Sequence, residues 1–125
     1  MASVRVLLVD DYEDWRNYVR SLLRTRPELQ LVGEASDGVE AVQMAGELKP
    51  DMILLDIGLP KLNGIESARR IKQLVPDCKI IFLTQDNSLD VVQEALSTGA
   101  LDYVYKAHAQ SDLLPAIDAA LRVRD

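Results

Sequence analysis

The sequence is poor in the residues that mark several common classes of protein. It has one cysteine, Cys78, in 125 residues, so no internal disulfide can form, which fits a reducing compartment. Acidic residues outnumber basic ones by 20 to 14, and the net charge is −6. This balance argues against direct nucleic-acid binding, which needs a basic surface.

Long apolar segments are also missing from the sequence. No apolar run approaches the roughly 20 residues of a membrane-spanning helix. The first residues lack the basic segment and apolar stretch of a signal peptide. A length of 125 residues, without an internal repeat or linker, suggests one domain over residues 1–125. We therefore expect a single cytoplasmic domain that does not bind the membrane.

The sequence does contain a regular alternation of short apolar runs and segments of helical period. Five runs rich in Val, Ile, Leu or Tyr predict strands that are buried on both faces. After each run, apolar residues recur at the spacing of an amphipathic helix. The pattern predicts an α/β fold with a parallel sheet covered on both sides. The predicted strands are 4–10, 29–35, 51–56, 79–84 and 101–106.

Residues that favour helix ends agree with this division. Ser88 and Ser111 suit the N-caps of the fourth and fifth helices, and Gly99 suits the end of the fourth. Pro115 is then expected just past the first turn of the last helix, where a proline costs less than in the middle.

Polar residues stand where the predicted strands end. The set comprises Asp10 and Asp11 after the first strand, Asp56 in the third, Thr84 in the fourth and Lys106 in the fifth. Because function in parallel α/β sheets gathers at the carboxyl ends of the strands, we expect these side chains to converge.

Three crowded carboxylates are unstable together unless a cation neutralises them or they bind protons. Carboxylate oxygens from Asp10, Asp11 and Asp56 would suit Mg²⁺. A metal beside a carboxylate, a lysine and a hydroxyl is the equipment for phosphoryl transfer. The metal and Lys106 would offset charge on the phosphoryl oxygens, and a carboxylate would be the nucleophile.

Four segments, "LLVDD", "MILLDIGLPKLNG", "IIFLT" and "YVYK", resemble the CheY-like receiver domain of two-component response regulators. The resemblance covers essentially the whole chain and is nearest to receivers of the nitrate-response (NarL/FixJ) type. It implies a flavodoxin-like (βα)5 sandwich with strand order 2-1-3-4-5. It also implies a phosphorylation-activated switch that catalyses only its own phosphorylation and dephosphorylation, and so is no enzyme in the usual sense.

The resemblance implies a role for each acid. Asp56 would be the phosphoacceptor and would attack a phosphohistidine of a partner kinase. Asp11 and Asp56 would bind Mg²⁺ directly, together with the backbone carbonyl of Gly58. Asp10 would act mostly through water.

The same resemblance implies how the signal leaves the site. Lys106 would pair with Asp56 before phosphorylation and with the phosphoryl group afterwards. Thr84 would move to hydrogen-bond the phosphoryl group. Tyr103 would then change rotamer and repack the face formed by the fourth helix, fifth strand and fifth helix. Phosphorylation adds negative charge and acceptor oxygens, and a two-state surface reports it.

The partners implied are a sensor histidine kinase or phosphotransfer protein, an output domain or downstream protein, and a second copy of the chain on activation. One alternative stays open: a receiver-like module that works through protein contacts without phosphorylation. Gln85 and Ala107 stand where the family usually has a small residue and a proline, so they keep this alternative open.

Two other classes fit the sequence poorly. Phosphohydrolases of the haloacid dehalogenase type need a second Asp two residues after the nucleophile, where this chain has Gly58. A flavodoxin-like nucleotide binder needs a phosphate loop rich in Ser, Thr or Gly after the first strand, where this chain has "DDYEDW".

The remaining distinctive residues are predicted to be structural. Cys78 should be inert and His108 should lie in a loop. Trp15 should pack within the apolar stripe of the first helix. Three arginines of that helix, Arg16, Arg20 and Arg24, should form a solvated basic face, with kinase docking as the less favoured interpretation.

Overall fold

Strands and helices alternate strictly along the computed structural model, which describes residues 3–86 and 88–123. A short 3-10 helix, Lys106–His108, joins the last strand to the last helix. The strands are β1 (Val4–Val9), β2 (Leu29–Ala35), β3 (Met52–Asp56), β4 (Lys79–Thr84) and β5 (Asp102–Tyr105). The helices are α1 (Glu13–Leu23), α2 (Gly38–Leu48), α3 (Gly64–Leu74), α4 (Leu89–Leu96) and α5 (Ala109–Leu121).

The strands form one parallel sheet in the order β2-β1-β3-β4-β5. Side chains of a strand alternate between the two faces, and here both faces are apolar. Leu7, Ile53 and Phe82 pack toward α2, α3 and α4, whereas Leu8 and Leu54 pack toward α1 and α5. The predicted α/β fold and strand order are therefore confirmed, with strand ends shifted by a residue at most.

The predictions about the ends of α4 and α5 are only partly confirmed. Ser88 is the N-cap of α4, although its side chain makes no capping hydrogen bond, and Gly99 has a φ of 97° in the turn that follows. The prediction for Ser111 is wrong, because α5 begins at Ala109. The 3-10 helix runs directly into α5, so Pro115 lies in the second turn rather than just past the first.

A helix that spans a membrane needs about 20 consecutive, predominantly apolar residues. Within residues 3–86 and 88–123, no helix combines the length and apolarity that crossing a bilayer would take.

Candidate functional site

The carboxyl ends of β1, β3, β4 and β5 open into a cleft of about 860 Å³. That volume is typical of a ligand-binding cleft. All the residues predicted to bind metal or to take part in phosphoryl transfer line it. They are Asp10, Asp11, Asp56, Gly58, Thr84 and Lys106.

The three acids meet at one point of the cleft. Asp10 and Asp56 are buried, with 1% and 7% of their surface exposed, whereas Asp11 is exposed. Each offers a carboxylate oxygen, and these oxygens lie within 4.8 Å of one another. Burial raises the pKa of Asp56, and the charges of Asp10 and Asp11 act in the same direction. The site is therefore a pocket of negative charge that favours a bound cation.

Lys106 supplies one cation to this pocket. Its Nζ donates a hydrogen bond to Asp10 Oδ2 at 2.6 Å and lies 3.6 Å from Asp56 Oδ1. The family resemblance implied a pairing of Lys106 with Asp56, but the nearer partner of the lysine is Asp10. The charge of Lys106 opposes the rise in the pKa of Asp56, and the backbone N–H of Gly58 acts in the same direction.

Asp10 is held at both its side chain and its backbone. Its Oδ1 accepts a hydrogen bond from the Tyr12 backbone N–H at 2.9 Å, while Oδ2 accepts the bond from Lys106. Its backbone carbonyl accepts a bond from Arg16 Nη1 at 2.6 Å. Three hydrogen bonds therefore hold Asp10 in place at the end of β1.

Arg16 and Arg20 do not form the predicted solvated face. Both are partly buried and converge on Glu34 of β2. Arg20 uses Nε and Nη2 to hold both carboxylate oxygens. Glu34 lies in a strand next to β1, so its position relative to α1 depends on the sheet order, which helical periodicity does not reveal. Arg24 alone of the three is exposed.

The donor set fits a hard divalent cation. Mg²⁺ prefers oxygen ligands, takes one or two carboxylates directly and keeps several waters. Exposed Asp11 and the edge of Asp56 can approach such an ion. Asp10 has both oxygens in hydrogen bonds already, which suits a ligand that acts through water. Each carboxylate oxygen has a second lone pair, so these hydrogen bonds do not exclude a shared cation.

Thr84 lies at the end of β4, with 2% of its surface exposed. Its hydroxyl donates a hydrogen bond to the Asp86 carbonyl at 3.0 Å and accepts one from the Asp86 backbone N–H at 2.9 Å. The hydroxyl is thus engaged in a local turn. A movement toward Asp56 would have to break these two bonds.

Tyr103 and Tyr105 differ in their relation to the cleft. Tyr103 is partly buried and packs against the core on the α2-α3-α4 side. Tyr105 pairs with Thr84 across the strands, lines the cleft and stacks edge-on against His108, with ring centroids 5.4 Å apart. Tyr105 was not among the predicted site residues, although its position just before Lys106 is the signal that could have identified it.

Trp15 also lines the cleft, which was not predicted. It packs against the core between α1 and α5, as expected, but its ring centroid is also 5.1 Å from Lys106 Nζ. The signal was its place in the first turn of α1, directly after the acidic loop. Helical periodicity predicted that Trp15 packs against the core, but it does not reveal the contact of the ring with Lys106.

Gly64 is a third residue whose part in the site was not predicted. A Cβ built on it would lie 2.0 Å from the backbone oxygen of Asp56, far inside van der Waals contact. Its N–H donates to the Ile57 carbonyl at 2.8 Å. The start of α3 therefore packs directly against the backbone that presents the Asp56 carboxylate.

The structure also describes three residues for which the sequence raised a question, Ala107, Cys78 and His108. None of the described peptide bonds is cis, so Lys106 and Ala107 are joined by a trans bond. Cys78 is buried, and burial raises the pKa of its thiol to about 12, which agrees with an inert residue. His108 is exposed in the 3-10 turn.

Several known proteins are similar to this chain in sequence and in fold. Residues 6–118 match the family model described as the response regulator receiver domain. The chain is 40% identical to the transcriptional regulatory protein LiaR of Bacillus subtilis over 117 residues, which are 94% of this chain and 56% of LiaR. It spans about half the length of the curated regulators that it matches.

Two solved structures superimpose closely on this chain. The response regulator domain of Thermotoga maritima CheB gives a TM-score of 0.90 at 34% identity and covers 98% of this chain and 99% of its own. A two-component response regulator of the LuxR family from Aurantimonas sp. also gives 0.90 at 34% identity, over 96% of this chain and 86% of its own.

Proposed function

Because the chain belongs to the receiver-domain family of two-component response regulators, we propose that Asp56 is the residue through which it is switched. Asp56 would accept a phosphoryl group from a phosphohistidine of a sensor kinase or phosphotransfer protein. The observation that carries this proposal is the surroundings of the buried Asp56 carboxylate. Lys106 Nζ lies 3.6 Å from its Oδ1, and carboxylate oxygens of Asp10 and Asp11 lie within 4.8 Å of one of its oxygens.

The transfer conserves atoms and charge in a simple way. A carboxylate oxygen of Asp56 forms a P–O bond while the P–N bond of the phosphoimidazole breaks. The departing nitrogen keeps the electron pair and takes up a proton. Lys106 faces the oxygens on which charge develops, and its fixed position lowers the cost of reorganisation in the transition state.

Asp11, Asp56 and the Gly58 carbonyl would hold Mg²⁺, with Asp10 acting mostly through water. When bound, the ion supplies positive charge against the phosphoryl oxygens and allows the acids to stay ionised close together. Asp10 would also hold Lys106 over the cleft until the phosphoryl group arrives.

The output of the switch would pass through Thr84. Its hydroxyl would exchange its two hydrogen bonds with the Asp86 backbone for one to a phosphoryl oxygen, and Tyr103 would then change rotamer and repack the α4-β5-α5 face. Tyr105 is a second candidate for this movement because it adjoins Thr84 and lines the cleft. The altered α4-β5-α5 face would then control an output domain, a downstream protein or pairing with a second copy.

The activity of the whole protein is part of the same proposal. Relatives such as LiaR are named transcriptional regulatory proteins, so we propose control of transcription through a separate DNA-binding output, in the cytoplasm. A Thermotoga maritima relative is named as a methylesterase and glutaminase, but the chain matches only 32% of it. We propose that residues 1–125 form one receiver domain without an enzymatic activity of that kind.

The direct test is the intact mass of the protein after incubation with acetyl phosphate, with and without Mg²⁺. We expect a gain of one phosphoryl group that requires Mg²⁺ and is absent in Asp56→Asn. Asp37→Asn is the matched control, since Asp37 caps α2 outside the cleft, and it should still be phosphorylated. If the wild-type chain gains no mass and binds no beryllofluoride, the module that acts without phosphorylation becomes the better interpretation.

A further inference from the structure

We infer that Trp15 is a positioning residue for Lys106. Its indole ring would hold the ammonium group over the cleft while the carboxylates around it change their ligands. The inference rests on the proposed function, because it assigns Trp15 a part in phosphoryl transfer to Asp56.

The geometry is that of a cation–π contact. Lys106 Nζ lies 5.1 Å from the centroid of the Trp15 ring, inside the distance of about 6 Å at which a ring face attracts a cation. Only 11% of the Lys106 side chain is exposed. Because little water screens the ammonium, this attraction is stronger here than on an open surface.

The ring is held firmly on its other sides. Trp15 packs against the core between α1 and α5, and its ring centroid lies 5.2 Å from that of Tyr18 at an angle of 44°. A ring fixed in this way can direct the lysine rather than follow it.

The buried indole N–H is a second observation. Within the described residues, Nε1 of Trp15 has no hydrogen-bond partner and is shielded from solvent. An unpaired buried donor costs free energy, and a phenylalanine or leucine at this position would avoid that cost. Tryptophan has the ring that binds cations most strongly, which gives a reason for its presence here.

The three groups around the ammonium differ in what the reaction does to them. Asp10 and Asp56 would share their charge with Mg²⁺, and Asp56 would become an acyl phosphate. The Trp15 ring stays the same throughout. As the carboxylates turn toward the metal, the ring therefore supplies the part of the attraction to Lys106 that does not change.

The first experiment compares Trp15→Leu with Trp15→Phe in the rate of phosphorylation by acetyl phosphate at saturating Mg²⁺. Both variants keep an apolar side chain in the core, but only phenylalanine keeps a π face. We expect Trp15→Leu to lower the rate by about threefold to tenfold, the range of a partly desolvated cation–π contact, and Trp15→Phe to keep most of it. Trp15→Phe therefore serves as the matched control for the loss of the indole ring.

A double-mutant cycle separates positioning from simple packing. If Trp15 acts through Lys106, Trp15→Leu should add no further loss in a Lys106→Met background. A loss of the same size in both backgrounds would overturn the inference, as would equal rates for the leucine variant and the wild type. A wild-type chain that is never phosphorylated would overturn the proposed function as well, so the two failures are distinguishable.

A measurement on the wild-type chain guards against a variant that fails to fold. The ring current of Trp15 should shift the methylene protons of Lys106 upfield in an NMR spectrum, and the shift should persist after Mg²⁺ is added. Lys106 protons at ordinary positions in both states would contradict the inference without any substitution.

Discussion

Lys106 lies 2.6 Å from Asp10 and 3.6 Å from Asp56, so the lysine is bonded to the carboxylate beside the proposed acceptor. This leaves the acceptor free of a short ion pair that would have to break before it attacks phosphorus. It also places the internal cation where an external one would bind. A divalent ion held by these acids would therefore compete with the ammonium group for their negative charge.

Lys106→Met should lower the free energy of unfolding in the absence of divalent ions by about 2 kcal/mol or more, because it leaves buried carboxylates without their cation. Added Mg²⁺ should stabilise this variant more than the wild type. Denaturant titrations with and without Mg²⁺ measure both effects. Lys61→Met is the control, since Lys61 is 69% exposed and 3.5 Å from Asp37, and should change the free energy by about 0.5 kcal/mol at most. If Mg²⁺ raised the free energy of unfolding equally in Lys106→Met and the wild type, the ammonium group and the metal would not compete.

Asp56→Asn should raise the melting temperature at neutral pH without divalent ions. Burial raises the pKa of Asp56 in the folded state, so folding favours its protonated form. Its contribution to stability is fully present below the unfolded pKa of about 3.9 and is lost as the pH rises through the folded value. The advantage of the asparagine variant should therefore shrink as the pH is lowered toward about 4.

Thermal melts of both proteins across this pH range provide the measurement. Asp37→Asn should behave in the opposite way. Hydrogen bonding to the Glu40 backbone lowers the pKa of Asp37, so its charged form stabilises the fold above the unfolded pKa and that contribution is lost as the pH falls. A wild-type chain that melts above Asp56→Asn at neutral pH would show that burial does not control this carboxylate.

Gly64→Ala should destabilise the chain by about 2 kcal/mol or more and slow phosphorylation, because the added methyl group would meet the Asp56 backbone oxygen. Gly46→Ala is the matched control. Gly46 lies within α2, where a Cβ would approach nothing closer than 3.8 Å, so alanine should stabilise the helix by about 0.5–1 kcal/mol. Denaturant titrations and the acetyl phosphate assay measure both variants. Normal phosphorylation of Gly64→Ala would mean that α3 does not govern the position of Asp56.

Glu34→Gln should weaken Mg²⁺ binding by about threefold, the loss expected when a charge-assisted hydrogen bond is reduced. Glu34 anchors Arg16, which in turn holds the Asp10 carbonyl. The affinity can be measured by fluorescence of Trp15, the single tryptophan of the sequence. Glu66→Gln is the control, since among the described residues the Glu66 side chain forms exposed ion pairs with Arg69 and Arg70 of its own helix. An unchanged affinity in the Glu34 variant would mean that the acidic loop keeps its shape without this support.

The fold could be predicted from the sequence because the strands are buried on both faces and so are visible as continuous apolar runs. The strand order came from the family resemblance, since periodicity does not say which strands are neighbours. Ser111 was assigned wrongly for a local reason. A serine followed by an apolar stripe looks like a cap, and nothing in that pattern reveals a 3-10 turn running on from Lys106.

Some features of the candidate site could also be predicted from the sequence, and others could not. The acids and the lysine could be identified because strand ends in a parallel sheet meet at one edge. Their individual roles stay predictions. Contacts between distant elements could not be inferred, as the pairing of Arg16 with Glu34 and the contact of Gly64 with Asp56 depend on how β2 and α3 pack. The contact between Trp15 and Lys106 joins residues from opposite ends of the chain.

The short 3-10 helix has a mechanical consequence. Lys106 belongs to this 3-10 helix, which continues directly into α5. A rotation of the backbone at Lys106, the pivot, would therefore tilt the whole of α5. At about 1.5 Å per residue, the 13 residues of α5 span about 20 Å. A tilt of about 5° at the pivot would carry the far end about 2 Å. A small displacement at the cleft would thus be magnified at the opposite end of the domain.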